Sequence, residues 1–294
     1  MTAAGCGMAR DVCRDKVNVR KRGQLVGYKA KVARWRGMYD LHCHILPSLD
    51  DGPSSLDDAV SMARVAAMDG IVGTVVTPHG DAVEAAGGKD ELERRLNALR
   101  AEMARAGVKL QLMAGAEHKL RPELVESLVQ GRAPRLNGSR YVLVELDFVN
   151  YAPYTEEVVF QLRLRGFTPV LAHPERQEVL QRDPMRVRGL AEQGVVLQLT
   201  AGSLEGAFGE GARRAAETML KEGLAHLLAS DAHGATGSRP PVMSRGAMLA
   251  RKLVGDKGVE LLVHENPAAI LEDRGVVSLE RRPSRSFWPV RRGR

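Results

Sequence analysis

The 294-residue sequence predicts an α/β fold built from repeated parallel strand–helix units. From Met38 onward, seven short apolar runs alternate with seven amphipathic stretches, at intervals of about 25–35 residues. The runs are apolar along their whole length, as expected for strands in a sheet that is covered on both faces. Two closures fit this pattern, an open doubly wound sheet and a barrel of the TIM type.

The predicted elements alternate regularly along the chain. The strands cover residues 38–46, 71–77, 108–114, 141–146, 168–172, 195–199 and 226–229. The helices lie near residues 54–69, 90–106, 121–130, 155–165, 184–193, 210–222 and 242–254. The first helix has the clearest signals, because Ser54 or Ser55 can cap its start and Gly70 follows its last turn.

Two common nucleotide-binding folds lack their motifs in this sequence. No Gly-x-Gly-x-x-Gly follows the first strand, and no Gly-x-x-x-x-Gly-Lys-Ser/Thr occurs anywhere. A barrel makes a different demand, since its functional side chains should follow the carboxyl ends of many different strands.

The charge is distributed unevenly over a chain of ordinary globular composition, with 44% hydrophobic and 27% charged residues. The net charge is +7, but residues 1–37 contribute +8 and residues 281–294 contribute +6, which leaves −7 on residues 38–280. We therefore expect a basic N-terminal extension (1–37), either disordered or the result of a mis-assigned start, then a barrel (38–280) and a basic C-terminal tail (281–294). The acidic body argues against nucleic acid as a partner.

The sequence shows neither a membrane span nor an export signal. No apolar stretch approaches the roughly 18–20 residues that a membrane helix needs. The basic N-terminal segment also lacks the apolar run of about 7–15 residues found in secretory signals. The three cysteines are too few and odd in number for a disulfide framework, so the sequence predicts a cytoplasmic protein.

Histidine and acidic residues follow six of the seven predicted strands, as the barrel closure requires. They are Asp40, His42, His44, Asp50, Asp51, His79, Glu117, Glu145, His173, Asp231 and His233. Side chains two apart on a strand share a face, so His42 and His44 should point together while Cys43 points away. Imidazole and carboxylate donors without a thiolate suit manganese, iron or zinc, and the set is too large for a single ion.

These residues lie in recognisable motifs: Asp40-x-His42-x-His44, Asp50-Asp51-Gly52, Thr77-Pro78-His79, Glu117, Glu145-Leu146, His173-Pro174-Glu175-Arg176 and Ser230-Asp231-x-His233. The motifs resemble those of the polymerase and histidinol phosphatase (PHP) superfamily. Within it, residues 38–271 are similar to the bacterial manganese-dependent protein tyrosine phosphatases of capsule and exopolysaccharide operons. The segment from His42 to Pro53 and the closing Glu265-Asn266-Pro267 are typical of that subgroup.

The resemblance implies a distorted (β/α)7 TIM-like barrel, the PHP fold, with three divalent ions. Mn2+ is the expected metal, with iron or zinc as alternatives. The ligand sets would be His42, His44, Glu117 and Asp231 for one ion, Glu117, Glu145 and His173 for a second, and Asp51, His79 and His233 for a third. Asp40 and Asp50 would orient ligand imidazoles. Arg176 and Arg239 would bind the phosphate.

The same resemblance implies a protein-tyrosine-phosphatase, a phosphoric monoester hydrolase in which metal-bound hydroxide attacks phosphotyrosine. The implied substrate is the tail of a bacterial tyrosine autokinase that controls exopolysaccharide or capsule synthesis. Two alternatives remain open, a small-molecule phosphatase of the histidinol-phosphate type and a nucleic-acid-associated PHP module. A surface ion pair with Glu175 or Glu178 is the alternative role for Arg176. The sequence does not indicate the oligomeric state.

Overall fold

The computed structural model describes residues 36–281, in which parallel strands form a three-stranded and a five-stranded sheet. The strands are β1 (Met38–Cys43), β2 (Ile71–Val76), β3 (Gln111–Ala114), β4 (Glu117–Lys119), β5 (Tyr141–Glu145), β6 (Thr168–Ala172), β7 (Val196–Thr200) and β8 (Leu227–Ala229). The spatial orders are β1-β2-β3 and β4-β5-β6-β7-β8. The expected basic extension and tail lie almost wholly outside the described residues.

Two parallel bridges join the sheets into the expected distorted barrel. One bridge pairs Cys43, at the end of β1, with Ala232, which follows β8. Here the His44 amide donates to the Ala232 carbonyl at 2.8 Å. The other bridge pairs His79 with Glu117, beyond the end of β2. The barrel is therefore closed at its carboxyl-end rim, where the polar residues were expected.

Seven strands were predicted, but the described residues form eight, because β4 is additional; β1 also ends at Cys43 rather than at residue 46. The third predicted strand is changed as well. It begins at Gln111 rather than at residue 108, and it stops at Ala114, after which Glu117 opens β4 in the other sheet. A side-chain Cβ at Gly115 would lie 2.6 Å from Cγ1 of Val75, so only glycine allows this close approach. The chain thus passes from one sheet to the other at Gly115–Ala116, and this places Glu117 where the two sheets meet.

The helices mostly lie where the periodicity predicts them. They are α1 (Leu56–Asp69), α2 (Gly80–Ala86), α3 (Lys89–Arg105), α4 (Pro122–Val129), α5 (Thr155–Leu164), α6 (Glu178–Arg182), α7 (Pro184–Glu192), α8 (Ala201–Leu204), α9 (Gly209–Lys221), α10 (Ser244–Glu260) and α11 (Asn266–Leu271). Ser55 caps α1 by accepting from the Asp58 amide, and Gly70 ends it with a φ of 95°. The short helices α2, α6, α8 and α11 were not predicted, because each has too few residues to show a period.

Alternate strand residues face two different apolar clusters. Val142, Val144 and Leu171 pack outward in a cluster with residues of the surrounding helices. Leu143 and Val170 pack inward with other strand residues and fill the floor of the barrel. Polar side chains lie above this floor, so the apolar packing fixes the positions of the strands that carry them. No helix among residues 36–281 is both long enough and apolar enough to cross a membrane.

The motif residue Asn266 ties the closing helix α11 to the barrel. Its side chain is 1% exposed, and its amide nitrogen donates to the carbonyls of His226 and Val277 at 2.9 and 2.8 Å. Its amide oxygen accepts from the Val277 amide at 2.8 Å. One side chain therefore satisfies three backbone groups.

We expect Asn266→Ala to lower the free energy of unfolding by about 2–4 kcal/mol, because it leaves buried backbone groups without partners. Urea denaturation measures the loss. Asn97→Ala is the matched control, since Asn97 is exposed on α3 and should change the stability little. Equal effects of the two substitutions would contradict the assigned role of Asn266.

Candidate metal centre

All nine predicted ligands meet at the carboxyl-end mouth of the barrel. Seven of them form three groups, and within each group the donor atoms lie within 4.8 Å of one another. The groups are His42, His44 and Glu117; His79, Glu117 and Glu145; and His44, Asp51, His79 and His233. The mouth opens into a cavity of about 890 Å³, which Arg176 and Arg239 also line. The barrel therefore concentrates the predicted chemistry in one place.

The side chains of His42, in β1, and His44, directly after β1, point together, as their spacing predicted. Their Nε2 atoms are 3.2 Å apart, and both side chains are fully buried. Oδ1 of Asp231 lies 3.4 Å from Nε2 of His42 and 3.8 Å from Nε2 of His44. This geometry agrees with the first predicted ligand set.

Glu117 lies at the centre of the site and is 2% exposed. Its Oε1 is 3.1 Å from Nε2 of His173 and 3.3 Å from Nε2 of His42. Its Oε2 is 3.4 Å from Nε2 of His44 and 3.3 Å from Nδ1 of His79. One buried carboxylate thus contacts four imidazoles.

The third group lies nearer the solvent. Oδ1 of Asp51 is 3.1 Å from Nε2 of His233 and 3.5 Å from Nε2 of His79. The other nitrogen of His79 faces inward, 3.7 Å from Oε1 of Glu145. His79 therefore lies between the second and third predicted sets, and either ring nitrogen has carboxylate neighbours.

The donor set fits divalent metal ions. Imidazole and carboxylate ligands bind such ions at about 2.0–2.2 Å, so two ligands of one ion lie roughly 3.0–3.4 Å apart when adjacent. The shortest nitrogen–oxygen separations between predicted ligands, 3.1–3.4 Å, match that spacing. The described cysteine, Cys43, lies outside these groups, so the set has the nitrogen and oxygen donors expected for manganese, iron or zinc.

The pKa values reflect the crowding of opposite charges. Burial opposes ionisation of Glu117, but the charge of His42 and hydrogen bonds from His173 hold the pKa of Glu117 well below its usual range. Burial also disfavours protonated His44, yet its hydrogen bonds with Asp50 and Glu117 raise its pKa to about 10. Glu117 is therefore held in its ionised form by cationic neighbours, a role that a divalent ion takes over from protons when it binds.

Two hydrogen bonds orient the paired histidines at the end of β1, His42 and His44. Oδ2 of Asp50 lies 2.7 Å from Nδ1 of His44, as the resemblance implied. Oε1 of Gln198 lies 2.9 Å from Nδ1 of His42. Gln198 was missed because β7 offered no obvious ligand, although a lone glutamine inside an otherwise apolar strand is a usable signal.

Asp40 requires a correction. Among the described residues its carboxylate accepts from the Ser230 amide at 3.0 Å, from the Ser230 hydroxyl and from the His42 amide, but from no imidazole. A spacing of two residues predicted Asp40 on the ligand face, yet its hydrogen bonds go to the backbone of His42 and to Ser230. Asp40 instead fixes the backbone that carries Asp231.

Two proposed ligands have backbones in the left-handed region. His173 has a φ of 36° and Asp231 a φ of 53°, which are unfavourable for residues other than glycine. Such strain persists only where the surroundings impose it, and it concentrates at functional sites. At His173, the next turn is anchored by buried Glu175, which accepts from the Thr200 amide at 2.9 Å and from the Ser203 hydroxyl at 2.7 Å.

Arg176 is held over the mouth by aromatic stacking. Its guanidinium lies 4.7 Å from the ring centre of Phe148 and 4.1 Å from that of Phe208, and one nitrogen pairs with Asp231. Its predicted alternative partners are engaged elsewhere: Glu175 as described above and Glu178 with Arg182. The surface-pair alternative is therefore wrong for this structure.

Arg239 lies on the loop between β8 and α10 and also lines this mouth. Its guanidinium nitrogens lie 3.4 Å from Oδ2 of Asp51 and 3.6 Å from Oδ2 of Asp231. Both arginines thus share Asp231 as a neighbour. Two planar donor groups therefore face one site.

A closed parallel barrel with a histidine- and carboxylate-rich mouth defines the class of metal-dependent barrel enzymes. The chain belongs to the CpsB/CapC family of capsular polysaccharide synthesis, whose model matches residues 38–272. The resemblance seen in the motifs is thereby confirmed.

Individual relatives agree with this assignment. Tyrosine-protein phosphatase YwqE of Bacillus subtilis is 33% identical over 196 residues, which cover 67% of this chain and 77% of YwqE. Putative tyrosine-protein phosphatase CapC of Staphylococcus aureus is 29% identical over 244 residues, covering 83% of this chain and 92% of CapC. A crystal structure from a study of YwqE and Streptococcus pneumoniae CpsB, described as metal-dependent tyrosine phosphatases, superimposes with a TM-score of 0.78. It is 29% identical and covers 82% of this chain and 97% of its own.

We expect Gln198→Leu to weaken metal binding by about 10–100-fold, because His42 loses the acceptor that fixes its ring. Metal titration followed by elemental analysis measures the change. Gln161→Leu on the surface of α5 is the control and should bind metal like the unmodified protein. Unchanged metal affinity in Gln198→Leu would show that Gln198 does not position the ligand.

Cys43→Ser should keep most of the activity. Cys43 is 1% exposed, packs in the apolar cluster beneath α1 and α3, and burial raises the pKa of its thiol well above the usual range. A nucleophilic cysteine needs the opposite environment, one that stabilises the thiolate. Loss of nearly all turnover with unchanged metal content would contradict this reading.

Proposed function

We propose that the protein is a metal-dependent phosphatase that hydrolyses phosphotyrosine in proteins. The observation that carries the proposal is the convergence of Arg176 and Arg239 on Asp231, within the buried cluster of histidines and carboxylates. Phosphate recognition and a cation-binding cluster thus share one mouth. The named activities of the relatives point to the same reaction.

The arginines bind and orient the phosphoryl group. Each guanidinium offers a planar pair of donors that fits two phosphoryl oxygens. The rings of Phe148 and Phe208 both pack against the guanidinium of Arg176 and restrict it, so little side-chain freedom is lost when the phosphate binds. Donors fixed in advance of the reaction stabilise the charge that develops in the transition state.

The histidines and carboxylates hold the metal. We assign His42, His44, Glu117 and Asp231 to one ion, Glu117, Glu145 and His173 to a second, and Asp51, His79 and His233 to a third. We propose Mn2+ as the metal, with iron or zinc as alternatives. Bound divalent ions of this kind neutralise the phosphate and lower the pKa of a water to about 7.

The leaving group is consistent with this arrangement. The phenol of tyrosine has a pKa of about 10, so it leaves with less help from a proton donor than an alkyl alcohol requires. The protein therefore needs chiefly to bind the phosphate and to neutralise its charge.

The proposed physiological substrate is the phosphotyrosine-containing tail of a bacterial tyrosine kinase in capsule or exopolysaccharide synthesis. The description of the matched family, capsular polysaccharide synthesis, supports the link to capsule synthesis. We place the reaction in the cytoplasm, where such a tail and an unpaired buried cysteine would both be found.

The substrate class is tested by comparing kcat/KM for a phosphotyrosyl peptide and for histidinol phosphate under the same metal. We expect the peptide to be the better substrate. Hydrolysis of histidinol phosphate alone would contradict the proposal and favour the small-molecule alternative.

Arg176→Ala should lower kcat by roughly 10²–10³ while leaving the bound metal unchanged, because it removes a fixed donor to the phosphoryl group. Arg176→Lys should recover little, since an ammonium group cannot replace the planar fork. Arg182→Ala, which removes an exposed arginine of α6, should leave turnover nearly unchanged. Near-normal turnover of Arg176→Ala would assign phosphate binding to Arg239 alone.

A further inference from the structure

One wall of the mouth is aromatic. Among the described residues that line the cavity, Phe148 and Tyr154 are the aromatic side chains other than histidine, and both come from the loop between β5 and α5. The remaining walls are formed mainly by the ligand clusters and by charged residues such as Lys119 and Arg121. One loop therefore contributes both of these aromatic rings to a cavity that is otherwise lined largely by polar side chains.

The rings remain partly exposed to water. Phe148 is 39% exposed and Tyr154 is 40% exposed. No described residue forms a hydrogen bond with the hydroxyl of Tyr154. Partly exposed rings beside convergent polar groups are typical of a ligand-binding cavity.

The loop that carries the rings is firmly held. Oδ1 of Asp147 accepts from the amides of Val149 and Asn150 at 3.0 and 2.6 Å. The carbonyl of Phe148 accepts from the Glu178 amide at 2.8 Å, which fixes the loop to the start of α6. The wall is therefore in place before a ligand arrives, which lowers the entropic cost of binding.

Tyr151 anchors the far end of the loop. Its hydroxyl donates to Oε1 of Glu156 at 2.9 Å, and the guanidinium of Arg186 lies 4.4 Å from its ring centre. This anchor lies shortly before Tyr154, whose carbonyl accepts the Val158 amide in the first turn of α5 at 2.9 Å. Tyr154 is thus held at the helix start with its side chain at the cavity.

Phe148 lies next to Arg176, which we propose binds the phosphoryl group. Its ring lies 5.2 Å from the ring of His173 and 4.7 Å from the guanidinium of Arg176. In phosphotyrosine a single oxygen joins phosphorus to the phenyl ring. A phosphoryl group bound at Arg176 therefore places the substrate ring close to Phe148.

We propose that Phe148 and Tyr154 form an aryl-binding wall that receives the phenyl ring of phosphotyrosine and makes the enzyme selective for aryl phosphates. The inference rests on the proposed function and names the residues that determine its specificity. Phe148 also supports Arg176, whereas Tyr154 has no described contact with a proposed ligand or arginine. Tyr154 is therefore the cleaner position to test.

The test compares KM for a phosphotyrosyl peptide with the inhibition constant of inorganic phosphate, which has no ring, in the metal-loaded enzyme. We expect Tyr154→Ala to raise KM about tenfold and to leave the phosphate constant within about twofold. Tyr154→Phe should retain the KM of the unmodified enzyme, since the ring remains. Val149→Ala is the matched control, because Val149 is exposed on the same loop and does not line the cavity.

Phe148→Leu should raise KM for the peptide by a larger factor than it raises the phosphate constant. An unchanged KM in Tyr154→Ala overturns the aryl wall, and so does an equal rise of KM and the phosphate constant. Both outcomes leave the phosphatase assignment intact if the unmodified enzyme hydrolyses the peptide. An unmodified enzyme that hydrolyses no phosphotyrosyl peptide overturns the proposed function and the wall with it.

Discussion

The site depends on the burial of one carboxylate, Glu117, among four imidazoles. An ionised carboxylate with 2% exposure is costly unless cationic or hydrogen-bonding groups surround it. The imidazoles come from three different strands or their following loops, so the barrel must close accurately around this point. The chain meets that requirement by passing from one sheet to the other at Gly115–Ala116. Glu117 follows immediately and pairs with His79 in one of the two bridges that join the sheets.

The surrounding residues hold this arrangement in place. Asp50 and Gln198 fix the rings of His44 and His42, while Asp40 fixes the backbone next to Asp231. Buried Glu175 anchors the turn that joins strained His173 to Arg176. The cluster of candidate metal ligands and Arg176 are therefore positioned by one connected set of contacts.

The predictable part of this site follows from simple periodicities. Parallel strands of a barrel end at one rim, and the residues after those ends were predicted as candidate ligands from their type and position. A spacing of two residues along the strand predicted that His42 and His44 point together, and it also predicted Asp40 on the same face. It could not show that the Asp40 carboxylate turns to Ser230, because that contact joins residues 190 positions apart in the sequence.

Other features were out of reach for related reasons. The break at Gly115 depends on its contact with Val75, which no local pattern encodes. The stacking of Phe148 and Phe208 on Arg176 joins three separate loops.

The proposed metal dependence is tested most directly by loading chelator-treated protein stepwise with Mn2+. Metal content and activity are measured together at each step. We expect activity on a phosphotyrosyl peptide to be at background without the ion and to return as more than one Mn2+ binds per chain. Full activity in protein free of divalent ions would contradict the proposed metal dependence.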